Sequence, residues 1–212
     1  MQSSNGRTFS IRNILIWGAL VVAILIPTAI AATSPQLQWR GPVYIAAGFA
    51  GILAMGALLA QPLLAGNYLP GLSPRRARRV HAWVGASLAA LVILHVAALW
   101  WTSSPDVVDA LTFNSPTPFS DWGVIAMWAT FAAGLLAMFR RNMRLRPATW
   151  KLLHLMLVTI IVIGSVVHAM LIEGTMGTSS KTAICVLVGL AVLRVVVDVK
   201  PWAALERKRT EN

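Results

Sequence analysis

Six long stretches of the chain are almost unbroken apolar runs separated by short polar connections. They extend from Ile14 to Ala32, Val43 to Leu64, Val80 to Trp101, Trp122 to Phe139, Trp150 to Ile172 and Thr182 to Val199. A helix rises about 1.5 Å per residue and the hydrocarbon core of a bilayer is about 30 Å thick, so a span needs about 20 apolar residues. The pattern predicts an all-α, polytopic bundle of six transmembrane helices over residues 14–199, with an N-terminal tail of residues 1–13 and a basic tail of residues 200–212. The sixth run is the least uniform, because it carries Arg194 and Asp198. These lie four apart on one helix face, where they can pair near a helix end instead of standing alone in lipid. The connection from Thr102 to Asp121 is long, rich in Ser, Pro and Asp, and has room for a short helix.

Charge gives the bundle a direction. With the N-terminus inside, sixteen of the eighteen Lys and Arg residues fall on one side. They are Arg7 and Arg12, then Arg75, Arg76, Arg78 and Arg79, then Arg140, Arg141, Arg144, Arg146 and Lys151, and finally Arg194, Lys200, Arg207, Lys208 and Arg209. Arg40 and Lys181 fall on the other side with Asp106, Asp109, Asp121 and Glu173. The positive-inside rule therefore predicts a multi-pass protein of a bacterial-type inner membrane with both termini cytoplasmic. Trp39, Trp100, Trp101 and Trp122 mark the outer interface, and Trp150 and Trp202 the inner one.

Composition removes the competing classes. Of 212 residues, 57% are hydrophobic and 12% charged, which excludes a disordered chain. Cys185 is the single cysteine, so no disulfide framework exists, and it reads as an inert small hydrophobe. The net charge of +11 sits in short clusters between uncharged runs, the pattern of a membrane protein and not of a nucleic-acid binder. Arg7 and Arg12, followed by an apolar run and Ala29, Ala31 and Ala32, resemble a signal peptide with its cleavage site. The run exceeds the usual apolar segment of about 7 to 15 residues, which favours a retained helix. Gly48, Gly51 and Gly56 in the second run read as close helix packing.

The four histidines carry the chemistry. His81 and His95 lie in the third run, His154 and His168 in the fifth, and each pair is fourteen residues apart. Fourteen residues are four turns less about 40°, so both members face nearly the same side of their helix, about 21 Å apart along the axis. The third and fifth helices run in the same direction. His81 then comes level with His154, and His95 with His168. Two neutral imidazoles on opposite helices, in apolar surroundings without thiolate or carboxylate, suit axial ligation of haem iron. Zinc would need three or four ligands converging on one point. Gly85 lies one turn above His81 and Gly164 one turn below His168, with Ala89 and Ser165 extending the small faces beside a flat cofactor. Propionates need cations, for which Arg79 and its cluster, Arg146, Lys151 and Arg194 are the inner candidates, and Arg40 or Lys181 the outer ones. A proton relay or metal-ion path, with no haem, is the alternative of another class, and plain interhelical packing the third.

With Arg75-Arg76-Ala77-Arg78-Arg79-Val80-His81, Leu94-His95, and Trp150-Lys151-Leu152-Leu153-His154 followed by His168, the chain resembles the ferric reductase-like transmembrane family over roughly its third to sixth spans. That family includes the haem domain of ferric reductases and NADPH oxidases, and the haem subunit of the bacterial periplasmic methionine sulfoxide reductase system. Confinement of the histidines to the third and fifth spans separates it from ascorbate-type cytochromes b, and no quinol-site motif of the longer cytochromes b is found. The resemblance implies two haems b and electron transfer from the inner side to an outer acceptor, either a ferric complex or a periplasmic protein. Ferric reductases and oxidases carry a flavin and nicotinamide region, for FAD and NAD(P)H chemistry, that is not found in these 212 residues. The donor implied is therefore quinol or a separate flavoprotein reductase. The acidic connection with Asp106, Asp109 and Asp121 reads as an ordinary solvated loop before it reads as an acceptor-docking surface.

Overall fold

The apolar runs fold as helices that begin earlier than hydropathy alone places them. The computed structural model describes residues 10–199. Among the described residues it has seven helices and no strand: α1 (Ile11–Ala32), α2 (Pro42–Ala65), α3 (Pro74–Thr102), α4 (Ser104–Leu111), α5 (Pro118–Met138), α6 (Pro147–Leu171) and α7 (Thr178–Val199). All except α4 are long and apolar enough to cross a membrane. The helix α4 occupies the long connection after the third span. Proline at the first helical position accounts for the early starts of α2, α3, α5 and α6, since its missing N–H is one the helix leaves unpaired anyway. The first turn of α3 then contains arginines that an apolar count passes over. The basic tail with Lys200, Trp202, Arg207, Lys208 and Arg209, and Arg7 at the other end, lie outside the described residues.

The helices pack as two close hairpins, α2 with α3 and α5 with α6, and α7 lies against α2 and α6. The central cluster draws Ala54, Leu58 and Leu59 from α2, Leu88 from α3, Ala129 and Ala133 from α5, Ile161 and Val162 from α6, and Val188 from α7. Alanine is the commonest buried hydrophobic residue, whereas Leu25, Trp128, Ile163 and Leu190 are each at least half exposed. This distribution is what lipid as solvent produces: large side chains gain nothing by leaving it, and small ones let backbones approach. Gly56 faces Ile24 of α1, and Gly164 faces the Trp122 carbonyl and Ala126 of α5. The α1 helix is further tied by its Trp17 indole N–H to the Pro70 carbonyl at 3.1 Å.

At the arginine-bearing end, α2 finishes with Asn67 in the left-handed region (φ 56°) and paired bonds from Tyr68 N–H to Leu63 and from Asn67 N–H to Leu64. This cap turns the chain toward α3 and presents Tyr68 to α7. The Tyr68 hydroxyl donates to Asp198, which also pairs with Arg194 at 3.3 Å. That hydrogen bond, together with desolvation, holds the phenol above its ordinary range. The expected Arg194 and Asp198 pair therefore forms, with a third member from another connection.

A Cβ at Gly164 would stand 2.9 Å from the Trp122 carbonyl, whereas one at Gly134 would meet open space. Gly164→Ala should therefore destabilise the protein in mild detergent by about 1–3 kcal/mol through overpacking. Gly134→Ala should be neutral or slightly stabilising, because it removes only glycine's backbone freedom. Thermal unfolding of the two variants side by side checks the contrast.

Candidate metal centres

The histidines meet across the seam between the two hairpins. His81 of α3 and His154 of α6 have ring centroids 6.5 Å apart with ring planes at 70°. His95 and His168, fourteen residues further along the same helices, have centroids 6.4 Å apart at 86°. Midway along each interval stand Leu88 and Ile161, both buried in the central cluster, so apolar packing separates the two levels.

These separations discriminate between chemistries. Two metal–nitrogen bonds of about 2.0–2.1 Å and a centroid-to-nitrogen distance of about 1.2 Å put trans imidazoles about 6.4 Å apart, and a tetrahedral ion would draw them to about 5 Å. The same arithmetic leaves at least about 4 Å between ring nitrogens of partner histidines, beyond the reach of a direct hydrogen bond. Each pair is thus spaced for one centre with two opposed nitrogen ligands. Among the described residues no group of three or more His, Cys, Asp or Glu side chains is gathered for a metal ion.

Backbone carbonyls orient three of the four rings. His95 Nδ1 bonds the Ala47 carbonyl of α2 at 2.7 Å, His168 Nδ1 the Phe119 carbonyl of α5 at 2.8 Å, and His81 Nδ1 the Gln61 carbonyl of α2 at 3.2 Å. An imidazole whose Nδ1 faces a carbonyl carries its proton there and leaves Nε2 as the ligand. Glycine makes two of these contacts possible. Gly51, one turn beyond Ala47, would put a Cβ 3.3 Å from the His95 ring, and Gly123, one turn beyond Phe119, would put one 2.7 Å from His168. Gln61 acts twice, since its side-chain amide also donates to the His81 carbonyl at 3.2 Å. None of Gly51, Gly123 and Gln61 stood out as a site residue in the sequence. A glycine four residues after a carbonyl-bearing position is the local pattern that Gly51 and Gly123 share, visible only once the facing histidine is known.

His154 is held differently. Its Nδ1 is buried without a hydrogen-bond partner, and its ring is stacked on Trp150, 5.1 Å away at 8°. The Trp150 indole donates to the Leu136 carbonyl at 3.2 Å, and Arg140 lies over the same indole at 4.4 Å.

The remaining sequence candidates are scattered more widely. Gly85 faces the Gln61 amide nitrogen, 3.1 Å from a Cβ built there, and Gly164 faces α5 as described. Arg79, two residues before His81, is exposed, as are Arg146 and Lys151. Lys181 is buried with its ammonium on the Ile172 carbonyl at 2.7 Å, where it caps the end of α6. Arg40 lies over the Tyr44 ring at 4.7 Å, on the wall of an open cleft of about 550 Å³ that also includes Trp39, Glu173 and Thr175. Asp106 and Asp121 fall in the first turns of α4 and α5, where a helix dipole favours a carboxylate.

Six membrane-length helices that bring two pairs of imidazoles together between facing helices define a polytopic membrane protein with two histidine levels. Residues 47–165 match the family model described as the ferric reductase like transmembrane component. The chain belongs to the ferric reductase-like transmembrane family, whose fold points to electron transfer across a membrane. The matched segment contains His81, His95 and His154 and ends three residues before His168. No curated protein and no solved structure gives a match.

Gly123→Ala should push the His168 ring off the Phe119 carbonyl, and Gly51→Ala, with 0.6 Å more room by these contacts, should only compress the His95 bond. Nitrogen chemical shifts of the ring nitrogens in histidine-labelled protein check this: loss of the hydrogen-bonded Nδ1 signature is expected in the first variant and its retention in the second.

Proposed function

We propose that the protein is a di-haem, b-type membrane cytochrome that passes electrons from a donor at its arginine-rich, cytoplasmic end to an acceptor at the opposite end. The observation that carries the reading is the pair of matched histidine separations, 6.5 and 6.4 Å, each a distance at which two imidazoles could share one metal centre. His81 and His154 would hold one haem, and His95 and His168 the other. Bound there, the two haems would supply one-electron carriers at two depths of an otherwise insulating core.

The chain's own residues do the rest. The carbonyls of Ala47, Gln61 and Phe119 hold three rings in the tautomer that leaves Nε2 free. Leu88, Ile161 and their neighbours keep water out of the interval between levels. Two imidazoles at each level would hold the group, so the acceptor would be reduced by outer-sphere transfer at the end of the bundle away from the arginines. The donor, a quinol or a separate flavoprotein, meets the face carrying Arg75 to Arg79 and Arg140 to Arg146. The acceptor, a ferric complex or a periplasmic protein, meets the opposite end.

A pyridine haemochrome assay on protein purified after haem-replete expression should give about two haems b per chain, one for each pair of axial ligands. His95→Ala or His168→Ala should remove one and spare the other, and His81→Ala or His154→Ala should do the converse. A colourless wild-type protein would overturn the reading in favour of a haem-free histidine path.

A further inference from the structure

Three of the four imidazoles are oriented by a backbone carbonyl on a neighbouring helix, and the fourth is not. His154 Nδ1 is buried with no partner, so nothing fixes the ring by hydrogen bonding. A ring on a helix that is tethered only at Cβ retains rotamer freedom, and a buried N–H without an acceptor is itself unfavourable. Yet the ring is aligned with its partner as closely as the other pair is. What it touches instead is Trp150, four residues earlier and therefore on the same helix face. The two ring planes differ by 8° at a centroid distance of 5.1 Å.

Trp150 is in turn immobilised. Its indole N–H donates to the Leu136 carbonyl, in the last turn of α5, where helix carbonyls lack partners of their own. The Arg140 guanidinium lies over the indole at 4.4 Å. Leu136 and Arg140 belong to α5 and to the connection that follows it, so these contacts tie the start of α6 to the end of α5. Trp150 is thus in contact with both the exposed Arg140 and the ring of His154.

We propose that Trp150 is the positioning residue for His154, supplying by stacking the orientation that carbonyl hydrogen bonds supply to His81, His95 and His168, and that the His81–His154 centre is consequently the more weakly ligated of the two. Stacking restrains a ring's plane but leaves Nδ1–H without the acceptor that raises ligand basicity. The inference rests on the di-haem reading above. It differs from a packing role because it requires the effect of Trp150 to be confined to one centre and to the identity of one ligand.

The test uses full-length protein in detergent, with haem counted in every sample. In Trp150→Leu the haem count should stay that of the wild type, and carbon monoxide should bind the dithionite-reduced inner centre at least about tenfold faster, the scale on which outer-shell partners act. The outer centre should be unchanged. Trp150→Phe, which keeps an aromatic face, should return binding to the wild-type rate. An unchanged rate in Trp150→Leu, or equal acceleration at both centres, overturns the proposal. Should Trp150→Leu fail to accumulate, a redox titration of the wild type at high salt, which screens the exposed arginines, decides. The inner centre, identified as the one retained in His95→Ala, should have the more positive midpoint, and an equal or reversed order overturns the proposal. A wild type without haem would instead overturn the underlying di-haem reading, so the two failures are distinguishable.

Discussion

Three of the four imidazoles depend on one interaction, the bond from a ring nitrogen to a main-chain carbonyl on the next helix. Such a carbonyl already accepts its own helical hydrogen bond, and only its second lone pair is on offer. A ring comes closest to it where the helix surface is cut away. Gly51 and Gly123 make that cut for His95 and His168. Each bond does two things at once: it selects the tautomer of the ring, and it fixes the rotation of α3 against α2 or of α6 against α5. The two hairpins are therefore set in register by the same contacts that aim the rings across the seam.

Much of this was legible in the amino-acid sequence, and the boundary of what was legible is physical. Six apolar runs of membrane length became six membrane-length helices, because in lipid a backbone has no other way to satisfy its N–H and C=O groups. The equal fourteen-residue intervals anticipated that His81 would meet His154 and His95 would meet His168, since helical geometry turns equal intervals into equal heights. The supporting shell was not legible. Gly48, Gly51 and Gly56 look alike in the sequence, yet one faces Thr175, one an imidazole and one Ile24. Which is which depends on helix rotation, which no single helix encodes. Gln61 and Trp150 were hidden for a related reason: a polar residue in a span and a tryptophan near a basic cluster both have ordinary explanations at a membrane. Helix starts were misplaced by three to six residues at five of the six spans, because capping and proline determine them, and apolar content does not.

The two ends of the bundle differ in kind. One is dense in arginine and carries the Tyr68, Asp198 and Arg194 clasp, the Trp150 stack and the ring with no hydrogen bond. The other carries the short helix α4, the capped end of α6 and the cleft beside Trp39 and Arg40, and both of its imidazoles are held by short carbonyl bonds. A symmetrical spacing of ligands is thus set in an asymmetrical protein. Two chemically identical ligand pairs in such surroundings are not equivalent.

The apolar interval between the levels has a further consequence on the proposed function. Fourteen helical residues span about 21 Å of a hydrocarbon core about 30 Å thick. A charge crossing that interval crosses most of the membrane's insulation, where voltage is worth about 2.3 kcal/mol per elementary charge per 100 mV over the full thickness. Hence an electron moving from the arginine-rich level to the other is driven outward by a negative-inside potential. On that reading the spacing of the four histidines would make electron transfer through the protein electrogenic, its rate set in part by how strongly the cell is energised.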